Sequence, residues 1–186
     1  MKLNFANKVT IGRILVVPLF IATVLYYSPQ RDFNRYWALG ILILAVGSDV
    51  FDGYIARSRK ERTRAGAILD PLADKLLLIS AFVCLYAVGP AFPEFRFPIW
   101  LVVSVISREI ILVLGALIIQ LINGEFEIEP SFWGKATNFL QVCCIIGMLL
   151  QWEFSMSLWF VTVIATVISG LGYIGSGIKI LNGSHT

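Results

Sequence analysis

Residues 36–88 read YWALGILILAVGSDVFDGYIARSRKERTRAGAILDPLADKLLLISAFVCLYAV. Two long apolar blocks flank a basic turn that carries Arg57, Arg59, Lys60, Arg62 and Arg64. Each block bears two aspartates at the end nearest that turn: Asp49 and Asp52 before it, Asp70 and Asp74 after it. A block of about 20 apolar residues is long enough to span a bilayer as a helix. The stretch therefore predicts a helical hairpin that crosses, turns and returns with carboxylates at matching depth.

Outward from the hairpin, the rest of the chain repeats the pattern. Of the 186 residues, 58% are hydrophobic and only 15% are charged, against roughly 25% charged in an ordinary soluble domain. A chain this short cannot hide so much apolar surface in one soluble core. The expected fold is all-α, a polytopic membrane bundle with six transmembrane helices near 10–28, 36–57, 66–88, 97–122, 133–151 and 157–180. Residues 1–186 are expected to form a single membrane domain. A short amphipathic segment, Met1–Asn7, is expected either to lie along the interface or to fray. Arg13 and Pro18 interrupt the first block and no A-x-A-like cleavage site follows, so the block is expected to be a span rather than a signal peptide. Trp100, Trp133, Trp152 and Trp159 are expected to anchor at the interface.

Lysine and arginine set the orientation. Lys2, Lys8 and Arg13 at the amino terminus and the basic turn of the hairpin both predict a cytoplasmic side. Lys135 and Lys179 fit that arrangement. The expected location is a bacterial inner (cytoplasmic) membrane, with the aspartates opening to the cytoplasm. Cys84, Cys143 and Cys144 lie in apolar stretches and read as buried thiols. The single histidine, His185, excludes chemistry that rests on a histidine nucleophile or on a zinc-binding helix motif. Nothing in the composition points to nucleic acid.

Asp49, Asp52, Asp70, Asp74 and Glu109 fall inside predicted spans. Each costs about 2.5 kcal/mol or more if it faces lipid at mid-depth. The i, i+3 spacing of Asp49 and Asp52 and the i, i+4 spacing of Asp70 and Asp74 put each pair on one helical face. Four carboxylates this close repel strongly in a low dielectric. Hard divalent cations relieve that repulsion, and Mg²⁺ or Mn²⁺ suits an all-oxygen donor set that faces phosphate. Two such ions form the usual clamp for phosphoryl chemistry. Gly53, Ala56 and Gly66 leave room for a substrate to approach. Arg57 can meet a phosphate through paired hydrogen bonds. Pro71 fits if it lies in the first turn of its helix; an earlier helix start predicts a kink.

The stretch from Asp49 to Asp74 resembles the signature of the CDP-alcohol phosphatidyltransferases, D-x2-D-G-x2-A-R-x8-G-x3-D-x3-D. All eight fixed positions are present: Asp49, Asp52, Gly53, Ala56, Arg57, Gly66, Asp70 and Asp74. The resemblance implies transfer of a phosphatidyl group from a CDP-linked lipid to an alcohol, with release of CMP. It implies Asp49, Asp52 and Asp70 as metal ligands, and Asp74 as a metal-facing general base on the acceptor hydroxyl. It also implies that Gly53, Ala56, Arg57 and Gly66 line the cytidine diphosphate site alongside Asp49 and Asp52. Within the family, three features are similar to members that join CDP-diacylglycerol to glycerol 3-phosphate. They are Asn7, Thr10 and Arg13; Ser107-Arg108-Glu109; and Gly134-Lys135 with Thr137, the last displaced by one position from the members' pattern. Ala116 departs from those members, which usually carry a second arginine there. Members that form cardiolipin from phosphatidylglycerol are the nearest rival, and Asn138 and Gln141 resemble their fifth helix.

Arg108 and Glu109, near mid-depth of the fourth span, have two readings: an ion pair between or within helices, or an acceptor-phosphate site to which Lys135 contributes. Lys135 reads equally as a snorkelling lysine. Gly170, Gly172, Gly175 and Gly177 suggest close helix packing and a homodimer seam. Outside the enzymes, a cation- or proton-coupled transporter would also hold intramembrane carboxylates. The chain lacks the inverted repeat expected of such a transporter.

Overall fold

The computed structural model describes the backbone of residues 5–59, 64–92, 94–123 and 132–183, and side chains at 15–48, 75–92, 94–115, 117–118 and 132–175. Across that range the chain is helical, with no strand among the described residues. The elements are α1 (Phe5–Leu25), α2 (Phe33–Arg59), α3 (Arg64–Val88), α4 (Ile99–Asn123), α5 (Phe132–Leu150) and α6 (Ser155–Gly183). Single 3-10 turns occupy Pro29–Arg31 and Gly89–Ala91.

All six predicted helices are present. The largest shift is at α1, which opens at Phe5. The apolar run marks what lipid can solvate, whereas the helix continues into the polar residues before it. Phe5–Asn7 is the first turn of α1, and residues 1–4 of the expected interfacial segment lie outside the described residues. Pro71 lies beyond the first turn of a helix that opens at Arg64, so the earlier start is the case that holds. Among the described residues, Phe132–Leu150 and Ser155–Gly175 are long and apolar enough to cross a membrane. Leu15–Leu25, Phe33–Ser48 and Lys75–Ala91 are shorter apolar stretches.

The chain divides into two compact units. The first holds residues 1–96 and Met148–Gln151; the second holds Phe97–Gly147 and the rest of the carboxy-terminal part. In the first unit α1 packs on both α2 and α3. The buried residues recur at helical spacing: Phe20 and Val24 on α1; Ala38, Leu42 and Ala45 on α2; Leu78, Ala81, Phe82 and Leu85 on α3. The opposite faces are apolar too, with Leu15, Leu19, Ile43, Leu44, Val83 and Tyr86 exposed. A helix that is apolar all round suits a lipid environment rather than water. Beyond α1, Tyr27 stacks on Phe92 with ring centroids 4.2 Å apart.

The second unit is built differently. Its seams are polar: Thr137 and Gln141 on α5, and Ser155, Thr162, Thr166 and Ser169 on α6, are all buried. Several hydroxyls are satisfied by carbonyls of the preceding turn, as in Thr162 to Leu158 (2.8 Å) and Thr166 to Thr162 (2.6 Å). Others cross between helices: the Thr137 hydroxyl lies 3.1 Å from the Ala165 carbonyl, and Cys144 Sγ lies 3.0 Å from Thr162 Oγ1. Cys84 and Cys144 are buried as expected, whereas Cys143 is half-buried. Trp159 is only 3% exposed and its ring meets Phe97 edge-on at 5.7 Å. It is a core residue and not an interfacial anchor, because its face of α6 is the packed one.

The turn after α5 carries a further constraint. Gln151 has φ 55°, the only positive φ outside glycine among the described residues. The Trp152 N–H donates to the Gly147 carbonyl (3.0 Å) and the Gln151 N–H to the Met148 carbonyl (3.3 Å). This is a Schellman cap with glutamine where glycine is usual. The side chain explains the choice. Gln151 Oε1 accepts from the Glu94 and Phe95 N–H groups (3.1 and 2.9 Å), and Nε2 donates to the Phe95 and Met148 carbonyls (3.2 and 2.7 Å).

Candidate active site

Asp49 and Asp52 lie on α2, and Asp70 and Asp74 on α3. The side chains of all four, with Gly53, Ala56, Arg57 and Gly66, lie outside the described residues. The backbone still constrains them. Both helices run unbroken through these positions, so the i, i+3 and i, i+4 pairs each share a face. Asp52 precedes the end of α2 at Arg59 by about as much as Asp70 follows the start of α3 at Arg64, roughly 10 Å at 1.5 Å per residue. Asp49 and Asp74 lie about 15 Å from the same ends. Only residues 60–63 join the two helices, and a connection that short normally makes antiparallel neighbours. On the backbone, each helix thus carries its two aspartate positions at a similar distance from the 60–63 connection. Among the described residues, which exclude these four side chains, no group of three or more His, Cys, Asp or Glu could hold a metal.

The second unit contains a buried charged cluster. Arg108 is 3% exposed and Glu109 is 0% exposed. Arg108 Nη1 donates to Glu109 Oε1 and, at 2.8 Å, to Asn138 Oδ1. Its Nη2 donates to Ser169 Oγ (3.1 Å) and lies 3.5 Å from the Gly134 carbonyl. Glu109 Oε1 also accepts from Gln141 Nε2 at 3.1 Å. The guanidinium therefore links α4 to α5 and α6. The geometry includes the ion pair of the first sequence reading, and the pair is additionally held by three neutral acceptors. Lys135 is exposed one residue beyond Gly134. Gly170 adjoins the cluster, since a Cβ there would lie 3.9 Å from Arg108 Cγ.

Sequence reasoning had singled out Arg108, Glu109 and Lys135 but not Ser169, and it had noted Asn138 and Gln141 without linking them to Arg108. A signal was present. Thr162, Thr166 and Ser169 are spaced i, i+4, i+7 along a largely apolar stretch of α6, as are Thr137, Gln141 and Cys144 on α5. A polar stripe at helical spacing marks the face that meets other polar groups.

The chain belongs to the CDP-alcohol phosphatidyltransferase family, whose model matches residues 3–170. That match takes in the aspartate-bearing helices and the buried cluster alike. Among individual relatives, the chain is 31% identical to a probable phosphatidylglycerophosphate synthase of Mycobacterium tuberculosis, over 97% of this chain and 84% of the relative. It is 32% identical to the CDP-diacylglycerol–glycerol-3-phosphate 3-phosphatidyltransferase of Bacillus subtilis, over 98% of this chain and 99% of the relative. It is 30% identical to the protein of the same name from Haemophilus influenzae, over 97% and 93%.

Proposed function

We propose that the protein transfers the phosphatidyl group of CDP-diacylglycerol to glycerol 3-phosphate, giving phosphatidylglycerophosphate and CMP. The observation that carries this reading is the near full-length similarity to relatives named for that reaction, together with an intact eight-residue signature. In the reaction, an acceptor hydroxyl attacks the phosphorus that bears diacylglycerol. The bond from that phosphorus to the CMP oxygen breaks, and CMP leaves with the electron pair. The hydroxyl proton passes to Asp74, the general base in this reading.

Asp49, Asp52, Asp70 and Asp74 would hold Mg²⁺ or Mn²⁺, two ions in our reading, which supply charge neutralisation at the diphosphate. Gly53, Ala56 and Gly66 leave the space that the cytidine diphosphate needs, and Arg57 donates to its phosphates. Arg108, posed by Glu109, and the exposed Lys135 are assigned to the acceptor phosphate. A dianion in an apolar setting requires such cationic partners.

The chain is read as one functional domain of six membrane spans in a bacterial inner membrane, with the aspartates toward the cytoplasm. A homodimer joined along α6 belongs to the same reading. Among the described residues nothing lies within 4 Å of a Cβ built on Gly172 or Gly175. The deciding experiment supplies labelled CDP-diacylglycerol and a panel of acceptors to the purified protein, then identifies the lipid product. Phosphatidylglycerophosphate from glycerol 3-phosphate is expected. Cardiolipin from phosphatidylglycerol, with glycerol 3-phosphate inert, would refute the assignment, and no CMP release with any acceptor would return the transporter reading.

A further inference from the structure

The buried cluster of the second unit has a spare donor and a spare acceptor. Both terminal nitrogens of Arg108 are engaged, by Glu109 and Asn138 on one side and by Ser169 and the Gly134 carbonyl on the other. Among the described residues, Arg108 Nε is buried and has no hydrogen-bond partner, and the same holds for Gln141 Oε1. Buried polar atoms are satisfied in the great majority of cases. The orphaned N–H of a 3% exposed guanidinium is therefore the one donor of the fork that no described acceptor meets. A phosphorylated alcohol has both complements: anionic oxygens for an N–H and a hydroxyl for an amide oxygen.

We propose that Asn138 and Ser169 are positioning residues that turn the Arg108 guanidinium so that its Nε–H faces the acceptor phosphate, with Gln141 fixing Glu109 behind it. The proposal rests on the acceptor assignment above and deepens it. The guanidinium is planar, and its donors form a rigid fork. Two hydrogen bonds to Nη1 and two contacts at Nη2, contributed by α4, α5 and α6, leave it one orientation. Removing Asn138 or Ser169 frees one arm of the fork. The freed arm and Nε then compete for the same phosphate in more than one pose, and the preorganised geometry is lost. The charge of Arg108 is unchanged, so acceptor use should suffer beyond the stability cost of the lost hydrogen bond.

The test uses the full-length protein in detergent micelles. Ser169→Ala and Asn138→Ala are compared with wild type by the KM for glycerol 3-phosphate, the KM for CDP-diacylglycerol, kcat and the thermal midpoint. Each variant should raise the KM for glycerol 3-phosphate about tenfold, the scale of one charge-assisted hydrogen bond, with the CDP-diacylglycerol KM within about twofold. Ser169→Thr, which restores a hydroxyl, should recover most of the loss, a rescue that simple packing damage would not show. Ser169→Ala removes a single oxygen, so it carries the test alone if Asn138→Ala does not fold. An unchanged glycerol 3-phosphate KM in Ser169→Ala, or equal rises in both KM values, would overturn the proposal. Arg108→Lys separates the two levels. If it raises the acceptor KM while the Ser169 and Asn138 variants do not, positioning alone fails. If it leaves the acceptor KM unchanged, the acceptor assignment fails as well.

Discussion

Removing one partner of the Arg108–Glu109 pair should destabilise the protein more than removing both. The two side chains are 3% and 0% exposed, so neither charge can fall back on water. In Glu109→Leu the guanidinium keeps Asn138, Ser169 and the Gly134 carbonyl, all neutral, and its charge is uncompensated. In Arg108→Met the carboxylate loses the guanidinium and keeps the neutral Gln141 amide. Breaking a buried pair from one side costs about 3–5 kcal/mol. The double variant Arg108→Met/Glu109→Leu buries no charge. It loses the neutral hydrogen bonds of Asn138, Ser169 and Gln141 and should cost about 2–4 kcal/mol. That is several kcal/mol below the sum of the singles, a coupling well outside the roughly 0.5 kcal/mol seen for independent sites. The assay is equilibrium unfolding in mixed micelles titrated with a denaturing detergent, for wild type, both singles and the double. The double should also fold yet use glycerol 3-phosphate poorly, which separates the structural from the functional share of the pair. Additive single effects would refute the reasoning, because they would mean that solvent or lipid headgroups already compensate each charge.

Three further outcomes are expected. Asp74→Asn should lower turnover by about 10²–10⁴, the usual span for a lost general base, while nucleotide binding persists; near-normal turnover would move the base elsewhere. Chelation should abolish CMP release, and Mg²⁺ or Mn²⁺ should restore it; full activity in excess chelator would remove the metals from the mechanism. Gln151→Ala should lose four side-chain hydrogen bonds and destabilise by about 2–3 kcal/mol, whereas Gln151→Gly should recover about 1 kcal/mol of that by relieving the left-handed backbone. Thermal midpoints in detergent check the Gln151 pair, and a glycine variant less stable than the alanine variant would contradict the cap.

The helices were legible because lipid asks for a long apolar run and little else. The same simplicity blurred their ends. Apolar composition marks what a bilayer can solvate, and α1 continues past that mark to Phe5. The cap at Gln151 was hidden for a different reason. A left-handed residue after a helix normally announces itself as glycine, and here a glutamine holds the position through tertiary hydrogen bonds that local sequence does not reveal. Trp159 illustrates the converse error. A tryptophan near a helix end suits the interface by type, yet the rotation of α6 turns it against Phe97.

The aspartates and the Arg108 cluster differ in legibility because they use different kinds of constraint. The aspartates declare themselves by cost and by spacing within single helices. Four expensive charges at i, i+3 and i, i+4 define two faces before any tertiary structure is known. The partners of Arg108 are not expensive and lie on other helices. Serine, asparagine and glutamine are tolerated on apolar helices at many positions. Which of them meets the guanidinium depends on the rotation of α5 and α6 about their own axes. One residue of rotation is about 100°, enough to carry Ser169 away from Arg108. Only the stripe of Thr162, Thr166 and Ser169 hinted at that rotation, and it named a face and not a partner. The charged residue is thus readable from sequence, while the neutral residues that aim it emerge only from the packed helices.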